Sequence, residues 1–235
     1  MAKKAVCLIS GGLDSAVTAF IAKKQGYDLY ALSFRYGQRH TKELLCAKKI
    51  SQAVEAIDHV ILTIDLQKFG GSSLFTNSAR QIKNHALKNI GKTIPSTYVP
   101  ARNTIFLSFA LAYAETIKAD AIFIGINAVD YSAYPDCRPK YLQAYQHLAN
   151  LATKRGIEGK TVRIIAPLLH LSKTEIIKKG TRLKVPYGKT WSCYRGNVKA
   201  CGRCDSCLLR FAGFQGAGLK DPVPYATNLK TERKE

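Results

Sequence analysis

A short stretch near the N-terminus, Ser10-Gly11-Gly12-Leu13-Asp14-Ser15, combines residue types that can hold a phosphate group. The two glycines lack side chains, so an anion can approach their backbone N–H groups closely. The hydroxyls of Ser10 and Ser15 add hydrogen-bond donors. The stretch contains neither the lysine of the common P-loop motif nor a G-x-G-x-x-G string, so a phosphate site here is of another kind. The competing interpretation is an ordinary glycine turn that Asp14 or Ser15 caps.

Four of the seven cysteines form a second candidate site, because they fall within fifteen positions at the spacing C-x₇-C-x₂-C-x₂-C. Thiolates with two residues between them can reach a common tetrahedral centre, with each sulfur about 2.3 Å from zinc. Four ligands leave no position for a catalytic water, so we expect a structural zinc ion. Its ligands would be Cys193, Cys201, Cys204 and Cys207.

Other uses of these cysteines remain open. A 4Fe–4S cluster also uses C-x₂-C-x₂-C, but usually with a fourth cysteine soon after and a following proline, and this sequence has neither. A zinc knuckle could instead grip RNA, for which Arg195, Lys199, Arg203 and Arg210 are compatible, although a solvated surface explains these residues as well. The remaining cysteines, Cys7, Cys46 and Cys137, are isolated, and we expect them in the core or in loops.

The phosphate-binding stretch must lie in a turn between a strand and a helix. Residues 5–9 form a continuous apolar run, which is typical of a strand that is buried on both faces. Residues 16–22 carry helical spacing, and Gly26 ends that helix. Backbone N–H groups and the positive end of the helix dipole therefore converge on the turn, which favours an anion.

The rest of the chain alternates between strands and helices, which predicts an α/β fold with a parallel, doubly wound sheet. Right-handed crossovers would bring the carboxyl ends of all strands to one rim, where such folds bind ligands. The further strands are predicted at 29–34, 59–64, 121–126 and 162–166, and the further helices at 41–56, 102–118, 139–154 and 173–183. The last helix opens with a capping box, Ser172-Lys173-Thr174-Glu175. Residues 66–97 interrupt this alternation, and we expect either a cover over the site or a plain surface excursion there.

Composition limits the class of protein. The chain has 235 residues, of which 46% are hydrophobic, and this fits one α/β domain with a small appendage. Its net charge of +20 favours anionic partners such as a nucleotide, an acidic metabolite or RNA, although a solvated basic surface alone would also carry it. No run approaches the ~18 apolar residues of a membrane span, and the first residues lead into a strand instead of a signal sequence. We therefore expect a cytoplasmic protein with no membrane partner.

The sequence of the first site resembles the pyrophosphate loop of the N-type ATP pyrophosphatases, whose fold is that of the adenine nucleotide α-hydrolases. The resemblance implies that this loop grips the pyrophosphate that leaves when ATP adenylates a substrate, and that Asp14 lies near Mg²⁺. It also implies which residues surround the ATP: Leu8, Ile9, Ser10, Gly11, Gly12, Leu13, Asp14, Ser15, Ala16, Val17 and Thr18.

Six stretches together resemble one family, the 7-cyano-7-deazaguanine synthases of the queuosine pathway. They are SGGLDS, FRYGQRH, VPARN, GINAVDYSAYPDCRP, LSKTEI and the cysteine segment. The resemblance implies a carbon–nitrogen ligase that converts 7-carboxy-7-deazaguanine and ammonia to the nitrile through adenylated intermediates, with zinc at the four cysteines. The chain is too short to include a glutaminase segment, so free ammonia or a separate donor would serve.

The resemblance and the chemistry together suggest residue roles. Arg102 would face the anionic groups, and Lys173 would offset phosphate charge. As alternatives, Arg102 and Asn103 could cap the buried helix that they begin, and Lys173 could be an ordinary solvated lysine. The candidates for catalysis are Ser10, Asp14, Ser15, Arg102 and Lys173.

Candidates for substrate binding come from the loops at the predicted rim. Asp130 could accept two N–H bonds from a guanine-like edge, and one of the tyrosines could stack on the base. The alternative is that these loop residues serve only as turn formers and surface cover. The candidates are Tyr36, Gln38, Asn103, Asp130, Tyr131 and Tyr134, with His40 beside Gln38 at the adenylate pocket.

We therefore expect an ATP pyrophosphatase domain over residues 1–188, a zinc-binding subdomain over 189–225 and a disordered tail over 226–235. The substrate would be a small molecule, nucleic acid would not be obligatory, and a homodimer is compatible with the sequence. Two other functions stay open: a tRNA-modifying thiolase or lysidine synthase of the same superfamily, and a non-catalytic zinc-containing protein that binds RNA.

Overall fold

The computed structural model describes residues 3–39, 42–129, 134–195 and 198–227. Five strands form one sheet: β1 (Lys3–Leu8), β2 (Tyr27–Arg35), β3 (Asp58–Thr63), β4 (Ala121–Phe123) and β5 (Arg163–Ile165). Every pairing in the sheet is parallel, and the strand order is β3-β2-β1-β4-β5. The order reverses between β1 and β4, which is where doubly wound sheets open a ligand crevice. This confirms the predicted fold class.

Seven α-helices are present in the described ranges, together with four short 3-10 segments. The helices are α1 (Leu13–Lys24), α2 (Lys42–Ala53), α3 (Arg102–Thr116), α4 (Pro139–Ala152), α5 (Lys154–Ile157), α6 (Lys173–Arg182) and α7 (Asp205–Gly216). The 3-10 segments are Leu66–Phe69, Leu87–Asn89, Pro135–Cys137 and Tyr187–Lys189. None of the helices in the described ranges has the length and apolar character needed to cross a bilayer.

Hydrophobic cores lie on both faces of the sheet, and successive residues of β1 divide between them. Ala5 and Cys7 belong to the core that contains residues of α1, α2, α6 and α7. Val6 and Leu8 belong to the core that contains residues of α3 and α4. This arrangement explains the unbroken apolar run, because both sides of the strand are covered.

Some predicted boundaries were wrong by a few residues. The helix predicted over 139–154 ends at Ala152, because Thr153 is extended, and its side chain accepts a hydrogen bond from the Gly156 N–H and caps the single turn of α5. The strand predicted at 162–166 is limited to Arg163–Ile165. The capping box at Ser172 is confirmed, since its hydroxyl accepts from the Glu175 N–H and the Glu175 carboxylate accepts from the Ser172 N–H.

The segment at 66–97 is packed against the domain. The Arg39 side chain donates to the carbonyl groups of Ser73, Ser78 and Arg80 at 2.9, 3.0 and 3.3 Å. Phe75 pairs with Gln38 in an isolated bridge and is 1% exposed. That this segment covers the site stays a prediction. Residues 73–80 of the segment are anchored to Gln38 and Arg39, in the loop that follows β2.

The cysteine-containing part is joined to the same core. Phe214 of α7 packs edge-on against Tyr187, with ring centroids 5.2 Å apart, and both belong to the core beside α1 and α6. The tail predicted to be disordered from residue 226 begins with two anchored residues. Ala226 N–H donates to the Ala200 carbonyl at 2.8 Å, and the Thr227 hydroxyl donates to the Cys201 carbonyl at 3.2 Å.

Candidate functional site

The Ser10–Ser15 loop connects β1 to α1, as predicted. Gly12 occupies the N-cap position of α1, and no side chain caps the helix there. The Ser15 hydroxyl instead donates to the Gly12 carbonyl at 3.0 Å and accepts from the Ser10 N–H at 3.2 Å. The structure therefore does not support the alternative in which Asp14 or Ser15 merely caps a glycine turn. Hydrogen bonds between residues of the turn hold its shape, and the N-terminal end of α1 remains open to an anion.

Gly11 is needed for its backbone angle and for its lack of a side chain. Its φ is +84°, and a Cβ there would lie 2.1 Å from the Glu43 carbonyl oxygen and 2.7 Å from the Ala47 nitrogen. The Gly11 carbonyl also accepts a hydrogen bond from the Trp191 N–H at 2.9 Å. Helix α2 and Trp191, which lies two residues before Cys193, therefore pack directly on the Ser10–Ser15 loop.

A cavity of about 240 Å³ opens at the carboxyl ends of β1, β2 and β4. The predicted site residues that line it are Leu8, Ile9, Ser10, Gly12, Leu13, Asp14, Ser15, Tyr36, Gln38, Arg102, Asn103 and Tyr134. Gly11 packs against α2 as described above, and Ala16, Val17 and Thr18 are buried within α1. Asp130, Tyr131 and His40 lie outside the described residues.

Lys173 reaches the loop from α6. Its Nζ lies 2.7 and 2.8 Å from the two carboxylate oxygens of Asp14, and its side chain is 8% exposed. It is therefore not the solvated lysine that the sequence left open. The ion pair fixes the Lys173 ammonium group beside the Asp14 carboxylate of the Ser10–Ser15 loop.

Arg102 and Asn103 begin α3 at the cavity wall. The Arg102 guanidinium donates to the Tyr36 hydroxyl at 3.5 Å, and its carbon lies 5.9 Å from the centre of that ring. The Asn103 N–H donates to Asp136 Oδ2 at 3.1 Å, and the Asn103 side-chain amide donates to the Asp136 carbonyl at 3.2 Å. Capping of α3 is therefore performed by Asp136, and the side chain of Arg102 is available to the cavity.

Asp136 was missed by the sequence analysis, although it lies in the quoted YPDC stretch. It is 5% exposed, and its Oδ1 has no hydrogen-bond partner in the part of the chain that the structure describes. Its neighbour Cys137 is buried in the core, as predicted, at the end of the 3-10 segment Pro135–Cys137, and it also lines the cavity. Burial raises the pKa of the Cys137 thiol to about 12, so this sulfur is protonated at neutral pH.

Glu43 was also missed. It stands in the first turn of α2 and lines the cavity. Burial raises the pKa of its carboxyl to about 7, the positive charge of Arg102 opposes that rise, and the charge of Cys193 adds to it. The sequence signal was weak, because a glutamate at the start of an amphipathic helix is ordinarily a favourable interaction with the helix dipole.

Aromatic side chains form one side of the cavity. Phe34 and Phe106 are stacked with ring centroids 4.0 Å apart, and Tyr36 meets Phe106 edge-on at 5.5 Å. Gln38 uses its side-chain amide to close its own loop: Oε1 accepts from the Tyr36 N–H at 2.7 Å, and Nε2 donates to the Phe34 carbonyl at 3.2 Å. The Tyr134 hydroxyl lies 3.0 Å from Thr97 Oγ1, which joins this side chain to the 66–97 segment.

The four clustered cysteines meet in space. Their sulfur atoms all lie within 4.8 Å of one another, and those of Cys201 and Cys207 are 3.9 Å apart. A tetrahedral zinc site with bonds of about 2.3 Å has sulfur–sulfur edges of about 3.8 Å, so the cluster fits zinc. The Cys193 sulfur accepts hydrogen bonds from two backbone N–H groups at 3.4 and 3.3 Å, which favours a thiolate. None of the four lines the cavity in the described structure, which fits a structural ion.

Two of the four basic residues near the cysteines are engaged within the protein. Arg195 donates to the Ile82 carbonyl at 3.2 Å and to Asn84 Oδ1 at 2.9 Å, which ties the cysteine loop to the 66–97 segment. Arg210 is 3% exposed and pairs with Asp221 at 2.7 and 3.0 Å. Of the four basic residues, Lys199 and Arg203 therefore remain available to RNA on the described surface around the cysteine cluster. Support for RNA binding there is weaker than the sequence suggested.

Comparison with known proteins agrees with this geometry. The sequence model of the family described as "Queuosine biosynthesis protein QueC" matches residues 4–218. A "7-cyano-7-deazaguanine synthase" from Desulfatibacillum aliphaticivorans is 56% identical over 226 residues, covering 95% of this chain and 97% of the relative. A protein of the same name from Coxiella burnetii is 54% identical over 229 residues, covering 97% of this chain and 100% of the relative.

A similar fold occurs in a solved structure of NMN synthetase from Francisella tularensis. The TM-score is 0.50 and the sequence identity is 18%, and the match covers 93% of this chain and 78% of that one. At this identity the likeness concerns the fold alone.

Proposed function

Because the chain belongs to the queuosine biosynthesis protein QueC family, we propose that it converts 7-carboxy-7-deazaguanine and ammonia into 7-cyano-7-deazaguanine at the expense of ATP. The observation that carries this proposal is a single cavity of about 240 Å³ lined by the Ser10–Ser15 loop, Arg102 and Asn103. An anion-binding loop and an arginine that face the same space suit the coupling of a carboxylic acid to a nucleotide.

The chemistry explains the need for ATP. A carboxylate is a poor electrophile, because hydroxide or oxide would have to leave. Transfer of AMP to the acid gives a mixed anhydride with AMP as a good leaving group, and ammonia then forms the amide. A second adenylation, on the amide oxygen, lets that oxygen depart with AMP and leaves the nitrile. In this proposal each adenylation releases pyrophosphate.

The proposed roles follow from position in the cavity. Backbone N–H groups of residues 10–15 and the hydroxyls of Ser10 and Ser15 bind the departing pyrophosphate. Lys173 compensates phosphate charge through its position beside Asp14, and Arg102 faces the anionic part of the acid or the nucleotide. Mg²⁺ held near Asp14 would neutralise further phosphate charge.

Substrate recognition is proposed at the aromatic side of the cavity. Tyr36 and Tyr134 are the described candidates for stacking on the base, and Asn103 can hydrogen-bond nearby. Asp130 and Tyr131 stay predictions as readers of the guanine-like edge. Zinc at the four cysteines would hold the loop that carries Trp191 and Tyr194, both of which line the cavity. A cytoplasmic location, a homodimer and independence from nucleic acid also stay predictions.

Product analysis tests the proposal. The protein is incubated with ATP, ammonium and the carboxylic acid, and the products are identified by mass spectrometry. We expect AMP, pyrophosphate and the nitrile, with no requirement for RNA. ADP and orthophosphate in their place would overturn the assignment. Tight, salt-sensitive RNA binding without ATP consumption would favour the non-catalytic RNA-binding alternative, and AMP formation that requires tRNA would favour a tRNA-modifying enzyme.

A further inference from the structure

The Glu43 carboxylate lines the cavity but has no role in the proposed adenylation steps. Two carboxylates line the described cavity wall, Asp14 and Glu43. Both oxygens of Asp14 are held by Lys173. No hydrogen bond or ion pair within the described ranges engages the Glu43 carboxylate. A site that takes up ATP and an organic acid would gain nothing from a further carboxylate without a direct partner, because like charges repel.

The position of Glu43 is fixed relative to the phosphate-binding loop. A Cβ on Gly11 would lie only 2.1 Å from the backbone carbonyl oxygen of Glu43. The first turn of α2 therefore packs directly on the loop. The charged and titratable groups whose fields reach Glu43, or are influenced by it, are Arg102 of α3, Tyr36, Cys46 of α2 and Cys193. The carboxylate is therefore part of the wall at which the adenylated acid would form.

We propose that Glu43 binds the incoming ammonia and accepts the proton that its nitrogen loses on attack. This inference rests on the proposed function. The ammonia nitrogen forms a bond to the acyl carbon, and the bond between that carbon and the AMP oxygen breaks. The electron pair of the broken bond leaves with AMP. One N–H proton passes to the Glu43 carboxylate, so the step yields the amide, AMP and a protonated Glu43. The proton then returns to solvent.

Other groups at the cavity are less suited to this task. No histidine lines the described cavity wall. The Cys137 thiol has a pKa of about 12, and burial also raises the pKa of Tyr36, so neither is deprotonated at neutral pH. Asp14 is neutralised by its ion pair with Lys173. A general base works best when its pKa lies near the working pH. The carboxyl group of Glu43 has a pKa of about 7 and lines the cavity, so it meets both requirements.

The test separates adenylation from attack by ammonia, using zinc-loaded full-length protein. Adenylation is measured as acid-dependent exchange of labelled pyrophosphate into ATP without ammonium, and amidation as amide and nitrile formed at saturating ammonium. For Glu43→Gln we expect exchange close to that of the parent and product formation lowered about 100-fold or more. Hydroxylamine should restore turnover in part, since its nitrogen loses a proton to water readily once it has attacked. Glu55→Gln, at an exposed position, is the matched control and should retain both rates.

The outcomes are distinct. Unchanged product formation in Glu43→Gln, or an equal loss of exchange and product, would overturn the inference, because the latter would mean that Glu43 only positions Arg102 for adenylation. If Glu43→Gln does not fold, Glu43→Asp provides the test. Aspartate keeps the carboxylate, but its shorter side chain holds that group farther from the cavity. Product formation should then fall more than pyrophosphate exchange. A parent protein without any exchange would overturn the proposed function itself.

Discussion

Gly213 of α7 lies against Lys173 of α6 so closely that a Cβ at residue 213 would be 2.5 Å from Lys173 Cγ. Helix α7 starts directly after Cys204 of the cysteine cluster, and Lys173 holds the carboxylate of Asp14. Besides the hydrogen bond from the Trp191 N–H to the Gly11 carbonyl, two successive contacts therefore connect the cysteine cluster to the Ser10–Ser15 loop. Through the contact between Gly213 and Lys173, the position of α7 constrains the position of Lys173.

Gly213→Ala should damage both stability and activity. The added methyl group would also meet Ile177 Cδ1 at 2.8 Å, so α7 must move away from α6 or Lys173 must shift. Such overpacking costs about 1–3 kcal/mol, measurable by urea unfolding, and turnover should fall with it. Gly188→Ala is the control, because the nearest atom to its Cβ is 3.7 Å away. Equal effects of the two substitutions would show that the contact at Gly213 has no special importance.

The Asp14–Lys173 pair allows stability and function to be separated. Lys173→Met should destabilise the protein by about 3 kcal/mol, because it leaves a largely buried carboxylate without its partner. The double variant Lys173→Met with Asp14→Asn should recover most of that stability, as judged by a double-mutant cycle of unfolding free energies. It should not recover nitrile formation, since both groups act on phosphate in the proposed mechanism. Recovery of activity in the double variant would contradict the proposed role of the pair.

Cys204→Ser should remove zinc and lower the melting temperature together, because metal binding contributes directly to the stability of such loops. Metal content and thermal unfolding are measured on the same sample. Cys46→Ser is the control: Cys46 is buried beside the cluster but does not belong to the four ligands, so zinc should be retained. Iron and a visible absorption band in the parent protein would instead indicate an iron–sulfur cluster.

Glu43 should lower the stability of the folded protein at neutral and higher pH. Its pKa is raised from 4.5 to about 7, so the folded state binds a proton more tightly than the unfolded chain does. Stability attributable to this group is therefore greatest below pH 4.5 and falls as pH rises through 7, by up to about 3 kcal/mol. Glu43→Gln should be more stable than the parent at pH 8, and this gain should vanish toward pH 4.5. Urea midpoints of the zinc-loaded proteins check this, with Glu55→Gln expected to show no such pH-dependent gain.

Much of the fold could be predicted because its signals are local. The glycine turn between an apolar strand and a helix depends on a dozen neighbouring residues, and the alternation of strands and helices implies a parallel sheet. The cysteine cluster was predictable for a similar reason, since the C-x₂-C-x₂-C run places three ligands within one turn and the start of one helix. In each case the residue types and their spacing already limit the chain to few geometries.

The rest of the site depends on contacts between distant segments. The ion pair of Lys173 with Asp14 joins residues 159 positions apart, and without it a single lysine is indistinguishable from a solvated one. From the sequence alone, Glu43 is expected only to interact favourably with the dipole at the start of α2. Its place in the cavity wall follows from the packing of α2 on Gly11. Gln38 was assigned to the adenylate pocket and does line the cavity, but the structure shows its amide closing its own loop, which no spacing rule reveals.

The carboxylate of Asp136 caps α3. The Asn103 N–H donates to Asp136 Oδ2, so the negative charge interacts favourably with the start of the helix that carries Arg102. Asp136→Asn should lower stability by about 1 kcal/mol and raise the KM for the organic acid more than the KM for ATP, because Arg102 and Asn103 lose their fixed position. Asp120→Asn is a matched control, since its carboxylate accepts from the Lys4 N–H at 3.0 Å away from the cavity. It should cost similar stability and leave both KM values unchanged; a KM for the acid that moves equally in both variants would mean that Asp136 acts only through general stability.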